Sequence, residues 1–202
     1  MTLDRLRPYV GRVLHPFVLG FDRLGLGPDA ASVLALFAAI TAAVAFAAGG
    51  IVATQWYLLA AGLVFANGWL DLIDGALARH QGVESAAGDL LDHALDRYAD
   101  VILIAGIAAG ETAWALGLAA VTGVLLTSYM GTQAQAVGLE RVYGGVVGRA
   151  DRLAIIGLAG VLAFAVTGTV EGLTVMEWLL VLLAVVGHFT ALQRFVVSYR
   201  RL

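Results

Sequence analysis

The sequence predicts an all-α integral membrane protein, a bundle of six transmembrane helices preceded by an N-terminal amphipathic helix in the membrane interface. Of its 202 residues, 60% are hydrophobic and only 13% are charged, whereas a soluble domain carries about 25% charged residues. Long apolar stretches follow one another with short connections. This composition excludes a disordered chain, a coiled coil and an ordinary soluble enzyme. It leaves room for a single domain over residues 1–202.

The first 26 residues are predicted to form the interfacial helix, because apolar residues recur every three or four positions with charged residues between them. Pro16 is expected to bend or break it. Pro28 and Asp29 are expected to start the next helix. Arginines precede any long apolar run, so the segment is not a cleavable secretion signal.

Six apolar stretches over residues 27–202 are each long enough to cross a bilayer, which needs about 20 residues. Aromatic residues lie beside three of the connections, as expected at a membrane interface. The predicted spans are residues 30–48, 55–78, 87–109, 113–137, 151–167 and 176–198.

The basic residues predict the orientation. All twelve are arginine, and with six spans they fall at or near one side, whereas the other side carries only Glu111, Glu171 and Glu177. Cytoplasmic loops are enriched in basic residues. The protein is therefore predicted to lie in the cytoplasmic membrane, with both termini on the cytoplasmic side.

Four aspartates gather where the second predicted span ends and the third begins. Asp71 and Asp74 are three residues apart, and Asp92 and Asp96 are four apart, so each pair lies on one helix face. Two antiparallel helices joined by a short loop can bring the pairs together as an all-oxygen cage. Such a cage suits Mg²⁺ or Mn²⁺, and Ca²⁺ is an alternative.

The cost of these carboxylates supports a metal site. Each ionised carboxylate costs about 2.5–3.5 kcal/mol at the bilayer centre on insertion scales, so four would cost on the order of 10 kcal/mol. The sequence places only Arg79 and Arg97 as basic residues at this depth. We therefore expect divalent cations to offset this cost. The alternative, that the aspartates are helix caps or solvated loop residues, stays open for Asp89 and Asp100 taken singly.

The residues between the two pairs favour a phosphate-bearing ligand. Gly75 and Ala78 remove side-chain bulk beside the carboxylates. Arg79 offers a fork of donors suited to phosphate, and Gly88 allows the two helices to cross closely.

This pattern resembles the complete motif of the CDP-alcohol phosphotransferases. That family moves a phosphatidyl-type group from a CDP-linked lipid to an alcohol and releases CMP, a step of phospholipid biosynthesis. The resemblance implies that the four aspartates hold one or two Mg²⁺ or Mn²⁺ ions and that Asp96 is also the general base. The matching string is Asp71-x2-Asp74-Gly75-x2-Ala78-Arg79-x8-Gly88-x3-Asp92-x3-Asp96.

The resemblance also implies a binding site for the CDP-linked lipid on the cytoplasmic side. It is assigned to the start of the first span, the motif between the aspartates and the loop after it. The implied residues are Asp29, Ala30, Ala31, Ser32, Gly75, Ala78, Arg79, Ser85 and Gly88.

Three arginines at the cytoplasmic ends of the fifth and sixth spans, Arg149, Arg152 and Arg194, are candidates to bind an acceptor that carries a phosphate. From spacing alone, positive-inside topology with contacts to membrane lipid head groups explains them equally well. The segment 144–153 and Arg194 resemble the branch that makes phosphatidylinositol phosphate or archaetidylinositol phosphate, in which these arginines bind inositol phosphate.

Gly131 and Gln133 depart from that branch, which usually carries Lys and Arg there. Glycerol 3-phosphate or another polyol phosphate therefore stays open as the acceptor.

A protein of another functional class, a divalent-cation transporter, is the second alternative, because intramembrane acids often mark ion paths. No nucleic-acid partner is expected. Gly106 and Gly110 form a small-xxx-small pattern that suits packing within the chain or a homodimer.

Overall fold

The computed structural model describes residues 7–140, 145 and 147–202, with side chains from residue 11 onward. Within these residues the chain forms seven α-helices and no strand. They are α1 (Arg7–Arg23), α2 (Pro28–Ile51), α3 (Trp56–Gln81), α4 (Ala86–Glu111), α5 (Trp114–Ala136), α6 (Arg149–Ala165) and α7 (Val175–Tyr199).

Helices α2 to α7 match the six predicted spans to within three residues at each end. Four of them, α2, α3, α5 and α7, are long and apolar enough to cross a membrane, judged by length and composition. Helices α4 and α6 do not meet these two criteria. Helix α4 carries four aspartates and Arg97, and α6 has only 17 residues. The apolar helices indicate a membrane protein.

A tight reversal places the end of α3 beside the start of α4. Gly82 ends α3 in the left-handed conformation, with φ 64°, which glycine adopts without a steric penalty. Ser85 caps α4, since its Oγ accepts a hydrogen bond from the Gly88 N–H at 3.1 Å. The two aspartate pairs are thereby brought to the same end of the bundle.

Helix α2 packs against both α3 and α4, while α6 packs on α3 and α5 packs on α7. Gly106 and Gly110 allow the contact between α2 and α4: a Cβ atom at Gly106 would collide with the backbone of Ala43, and one at Gly110 with that of Phe46. Both glycines therefore serve packing within the chain. They give no support to a homodimer, which stays a prediction.

Helix α1 packs on α3 through Leu14 and Val18, which are both buried. The ring of Phe17 meets Trp69 edge-on at 5.4 Å between centroids. Of the two outcomes expected at Pro16, a bend or a break, the break was wrong, because the helix continues through the proline. Leu14 and Val18 flank the proline and anchor both of its sides on α3. Residues 1–6 of the predicted interfacial segment lie outside the described residues.

Candidate active site

Three of the predicted metal ligands come together between α3 and α4. Asp71, Asp74 and Asp92 each place one carboxylate oxygen within 4.8 Å of the other two. Oxygens that bind one Mg²⁺ ion at about 2.1 Å lie roughly 3–4 Å apart. Small side-chain movements would therefore bring the three oxygens onto one hard cation, and the donor set fits it.

Helix α2 holds the most buried of these carboxylates, that of Asp74. The Ser32 hydroxyl donates to Asp74 Oδ2 at 2.7 Å, and the Gly75 N–H donates to Oδ1 at 2.6 Å. Ser32, which was expected to touch the nucleotide, therefore also orients a carboxylate.

Asp96 lies next to this group and is tied to arginine. Arg149 Nη2 lies 2.8 Å from Asp96 Oδ1, and its Nη1 donates to Asp71. Arg97 Nη2 lies 3.6 Å from the other oxygen of Asp96. All four predicted ligands line one small cavity of about 10 Å³.

The sequence indicated that Arg79 and Arg97 were the only basic residues near the carboxylates. The structure adds Arg149, which contacts Asp71 and Asp96. Arg149 begins α6, and the packing of α6 on α3 brings it to the carboxylates. Arg79 forms no ion pair with any residue in the described part of the chain. Charge compensation therefore comes partly from a helix far away in the sequence.

Asp100 is neither a cap nor a solvated loop residue. It is 2% exposed and accepts two hydrogen bonds from Arg152, at 3.2 Å to Nε and 2.6 Å to Nη2. Arg97 Nη1 lies 3.2 Å away on the other side. Asp89, in contrast, is exposed in the first turn of α4.

A cavity of about 260 Å³ opens beside the carboxylates. Seven of the nine residues predicted to bind the CDP-linked lipid line it. The remaining lining residues are the motif aspartates Asp74 and Asp92, together with Pro28, Val83, Glu84 and Asp89. Ala30 is absent from the lining, and Ala31 is buried against Leu14 and Ile73. The seven are Asp29, Ser32, Gly75, Ala78, Arg79, Ser85 and Gly88.

A larger cavity, of about 550 Å³, lies between α1 and α3. Gly75 and Arg79 border both cavities. Leu14 and His15 of α1 line only the larger one. Reasoning from the sequence missed this space, since nothing in the spacing of α1 indicates which helix it packs against.

The three predicted acceptor arginines have different surroundings. Arg149 reaches the carboxylates, whereas Arg152 is held by Asp100. Arg194 is buried on α7, and its Nη1 donates to the Thr127 carbonyl of α5 at 2.6 Å. Of the segment 144–153, residues 144 and 146 lie outside the described part of the chain.

Comparisons with known proteins agree with this geometry. Residues 26–190 match the family model of the CDP-alcohol phosphatidyltransferases. The archaetidylinositol phosphate synthase of Methanothermobacter thermautotrophicus is 34% identical over 201 residues, which cover 99% of this chain and 95% of that protein. The phosphatidylinositol phosphate synthase of Streptomyces avermitilis is 32% identical, with 96% and 81% covered.

Solved structures of the Mycobacterium tuberculosis phosphatidylinositol phosphate synthase are also similar. The complex with CDP-DAG has a TM-score of 0.78 at 26% identity, covering 93% of this chain and 94% of that one. The complex with manganese and citrate has a TM-score of 0.79 at 25% identity, with 92% and 88% covered. The chain described here therefore belongs to the CDP-alcohol phosphatidyltransferase family and is a membrane transferase of that class.

Proposed function

We propose that the protein transfers a phosphatidyl- or archaetidyl-type group from a CDP-linked lipid to the hydroxyl of a phosphorylated polyol, preferably inositol phosphate, and releases CMP. The observation that carries this proposal is the position of the carboxylates. Asp74 and Asp92 lie in the wall of the 260 Å³ cavity that the motif glycines and Arg79 also line. A diphosphate bound there lies beside the residues that would hold its metal ions.

The nucleotide end of the lipid would occupy that cavity. Arg79 is exposed there and free of ion pairs within the described residues, so its guanidinium is available to the diphosphate. Gly75 leaves its backbone open to the ligand; a Cβ atom added there would make only an ordinary contact with Arg79 Nη1, at 3.5 Å. A solved relative has CDP-DAG bound, which supports a CDP-linked lipid as the ligand.

Asp71, Asp74 and Asp92 would hold Mg²⁺ or Mn²⁺, with Asp96 as a further ligand, and the manganese complex of a relative supports this choice. When bound, the metal neutralises the phosphates and makes CMP a better leaving group.

Asp96 would act as the general base. It takes the proton of the acceptor hydroxyl, whose oxygen then attacks the β-phosphorus while the bond to CMP breaks. One oxygen of Asp96 is 2.8 Å from Arg149, and the other faces Arg97 only at 3.6 Å. The second oxygen is therefore the one available to a hydroxyl.

Arg149, Arg152 and Arg194 would bind the phosphate of the acceptor. Relatives named as phosphatidylinositol phosphate and archaetidylinositol phosphate synthases favour inositol phosphate. Gly131 is buried on α5 and Gln133 is exposed, and neither supplies a positive charge. This departure keeps glycerol 3-phosphate as the alternative acceptor.

The membrane placement is part of the same proposal. All six helices α2 to α7 would cross the membrane as one domain, with α1 in the interface and the site on the cytoplasmic side. Helix α4 has 26 residues and so is about 39 Å long. Its aspartates lie toward the end where the site is, and its apolar half begins at Val101.

An acceptor panel tests the proposal. One CDP-linked lipid is incubated with inositol phosphate, glycerol 3-phosphate, serine or inositol, and CMP is measured each time. We expect release with inositol phosphate, and little with inositol, because the arginines select the phosphate. Equal release with inositol and inositol phosphate would contradict the role of the arginines, and release only with glycerol 3-phosphate would establish the alternative.

A further inference from the structure

Asn67 is a buried polar residue outside the family motif. It lies on α3 four residues before Asp71, hence on the same helix face, and it is 1% exposed. It lines the 10 Å³ cavity together with the four motif aspartates. A fully buried amide in a helix that crosses a membrane is costly unless its polar atoms are used.

The orientation of this amide is fixed by one hydrogen bond. Asn67 Nδ2 donates to the Ala35 carbonyl of α2 at 2.7 Å. Because a carbonyl only accepts hydrogen bonds, the nitrogen must point to Ala35 and the oxygen must point elsewhere. That oxygen, Oδ1, has no partner among the described residues, an arrangement that costs about 1–3 kcal/mol.

A second unused group lies in the same wall. Arg149 Nε is buried and has no partner, while the two Nη atoms of that arginine contact Asp71 and Asp96. Asn67 and Arg149, each with one unpartnered polar atom, line the same space of about 10 Å³. This is about the volume that one water molecule requires.

We propose that Asn67 is a positioning residue of the metal centre: its Oδ1 accepts a hydrogen bond from a water molecule that links it to the carboxylate cluster and its cation. This inference rests on the metal centre proposed above. Partners of this kind orient the ligands of a metal, and their loss typically weakens metal binding 10- to 100-fold. A role restricted to clamping α2 on α3 would use Nδ2 alone and would leave Oδ1 without a function.

Two substitutions separate these roles, since leucine and an ionised aspartate both lack a donor for the Ala35 carbonyl. Asn67→Leu also loses the acceptor, whereas Asn67→Asp keeps it. Mn²⁺ affinity of the purified full chain is measured from the free-ion signal in electron paramagnetic resonance. We expect Asn67→Leu to bind Mn²⁺ at least tenfold more weakly and Asn67→Asp to bind it as tightly as wild type or more tightly.

Thr190→Val is the matched control, because Thr190 is another buried residue with an unpartnered oxygen, in a cavity among α5, α6 and α7. It should leave Mn²⁺ affinity unchanged. Asn67→Ala replaces the leucine variant if the latter does not fold, with the same expected loss. Wild-type affinity in the leucine or alanine variant, or equal losses in Asn67→Leu and Asn67→Asp, would overturn the inference.

The same titration separates this inference from the proposed function. Wild-type protein should bind Mn²⁺, and Asp92→Asn should lose that binding. If wild type binds no Mn²⁺, the metal centre itself is wrong. If wild type binds Mn²⁺, Asp92→Asn does not, and the Asn67 variants bind it as tightly as wild type, then the metal centre is supported and the role of Asn67 is refuted.

Discussion

Asp96 and Asp100 are one helical turn apart on α4, yet their surroundings differ. Asp96 lies at the cavity that the other motif aspartates line. Asp100 is buried beneath it, between Arg152 and Arg97. A carboxylate with access to a cavity can take part in chemistry, whereas one enclosed by two guanidinium groups holds helices together.

Asp100→Asn should lower the free energy of unfolding by about 3–5 kcal/mol, because removing one partner of a buried ion pair leaves the other charge uncompensated. Denaturant unfolding in detergent micelles measures this loss. Asp89→Asn is the control on the same helix, and it should change stability little because Asp89 is exposed. Equal stability of the two variants would contradict a structural role for Asp100.

Arg79→Ala should raise KM for the CDP-linked lipid about 10- to 100-fold, as expected for the loss of a hydrogen bond from a charged group worth about 1.5–3 kcal/mol. Unfolding should not change, since Arg79 forms no ion pair with the described residues. Steady-state CMP release at varied lipid concentration measures the effect. Arg200→Ala, at the exposed end of the chain, should keep the wild-type KM.

At the residue scale, helical spacing predicted the four motif aspartates, and the structure brings three of them within reach of one ion. Spacing could not predict the partners of these residues. Arg149 is 78 positions from Asp71, and Arg152 is 52 from Asp100, so those pairs depend on which helices pack together. The signal for Asn67 was present, as a polar residue four positions before Asp71, and was not used.

At the scale of the elements, the helices followed from long apolar stretches, and their ends from turn residues such as Gly82 and Ser85. Which helices pack against one another could not be predicted from the sequence. The contact of α2 with α4 depends on Gly106 and Gly110. Helix α1 continues through Pro16 and packs on α3.

Gly106→Ala should destabilise the protein by about 1–3 kcal/mol, because the added methyl group would overpack the contact with the Ala43 backbone. Gly62→Ala in α3 is the matched control, since a Cβ atom there meets nothing within 4 Å. It should be neutral or stabilising by up to about 1 kcal/mol. Denaturant unfolding measures the free energy of unfolding of both variants. Equal values would contradict a crossing of α2 and α4 at Gly106.

At the scale of the whole molecule, the alternation of six helices places the starts of α2, α4 and α6 and the ends of α3, α5 and α7 at one end of the bundle. Each predicted site residue lies near one of these ends. Arg79, Arg149 and Arg152, which belong to the arginines that predict the cytoplasmic side, lie there too, so the proposed orientation determines the side from which the substrates come.

Because the chain contains no cysteine, single introduced cysteines can report this orientation. Val137→Cys, after α5, should react with a membrane-impermeant maleimide only from the cytoplasmic side. Val52→Cys, between α2 and α3, should react only from the opposite side. Both residues are exposed. Labelling of both from one side would contradict the six-span arrangement.

The most direct measurement of the central claim is CMP release from a CDP-linked lipid by purified wild type and by Asp96→Asn, each with Mg²⁺ or Mn²⁺ and with a chelator. We expect release by wild type only when the metal and an acceptor are both present. Asp96→Asn should lose activity at least 100-fold, with unchanged helicity in circular dichroism. Release that persists in the chelator, or normal turnover by a folded Asp96→Asn variant, would contradict it.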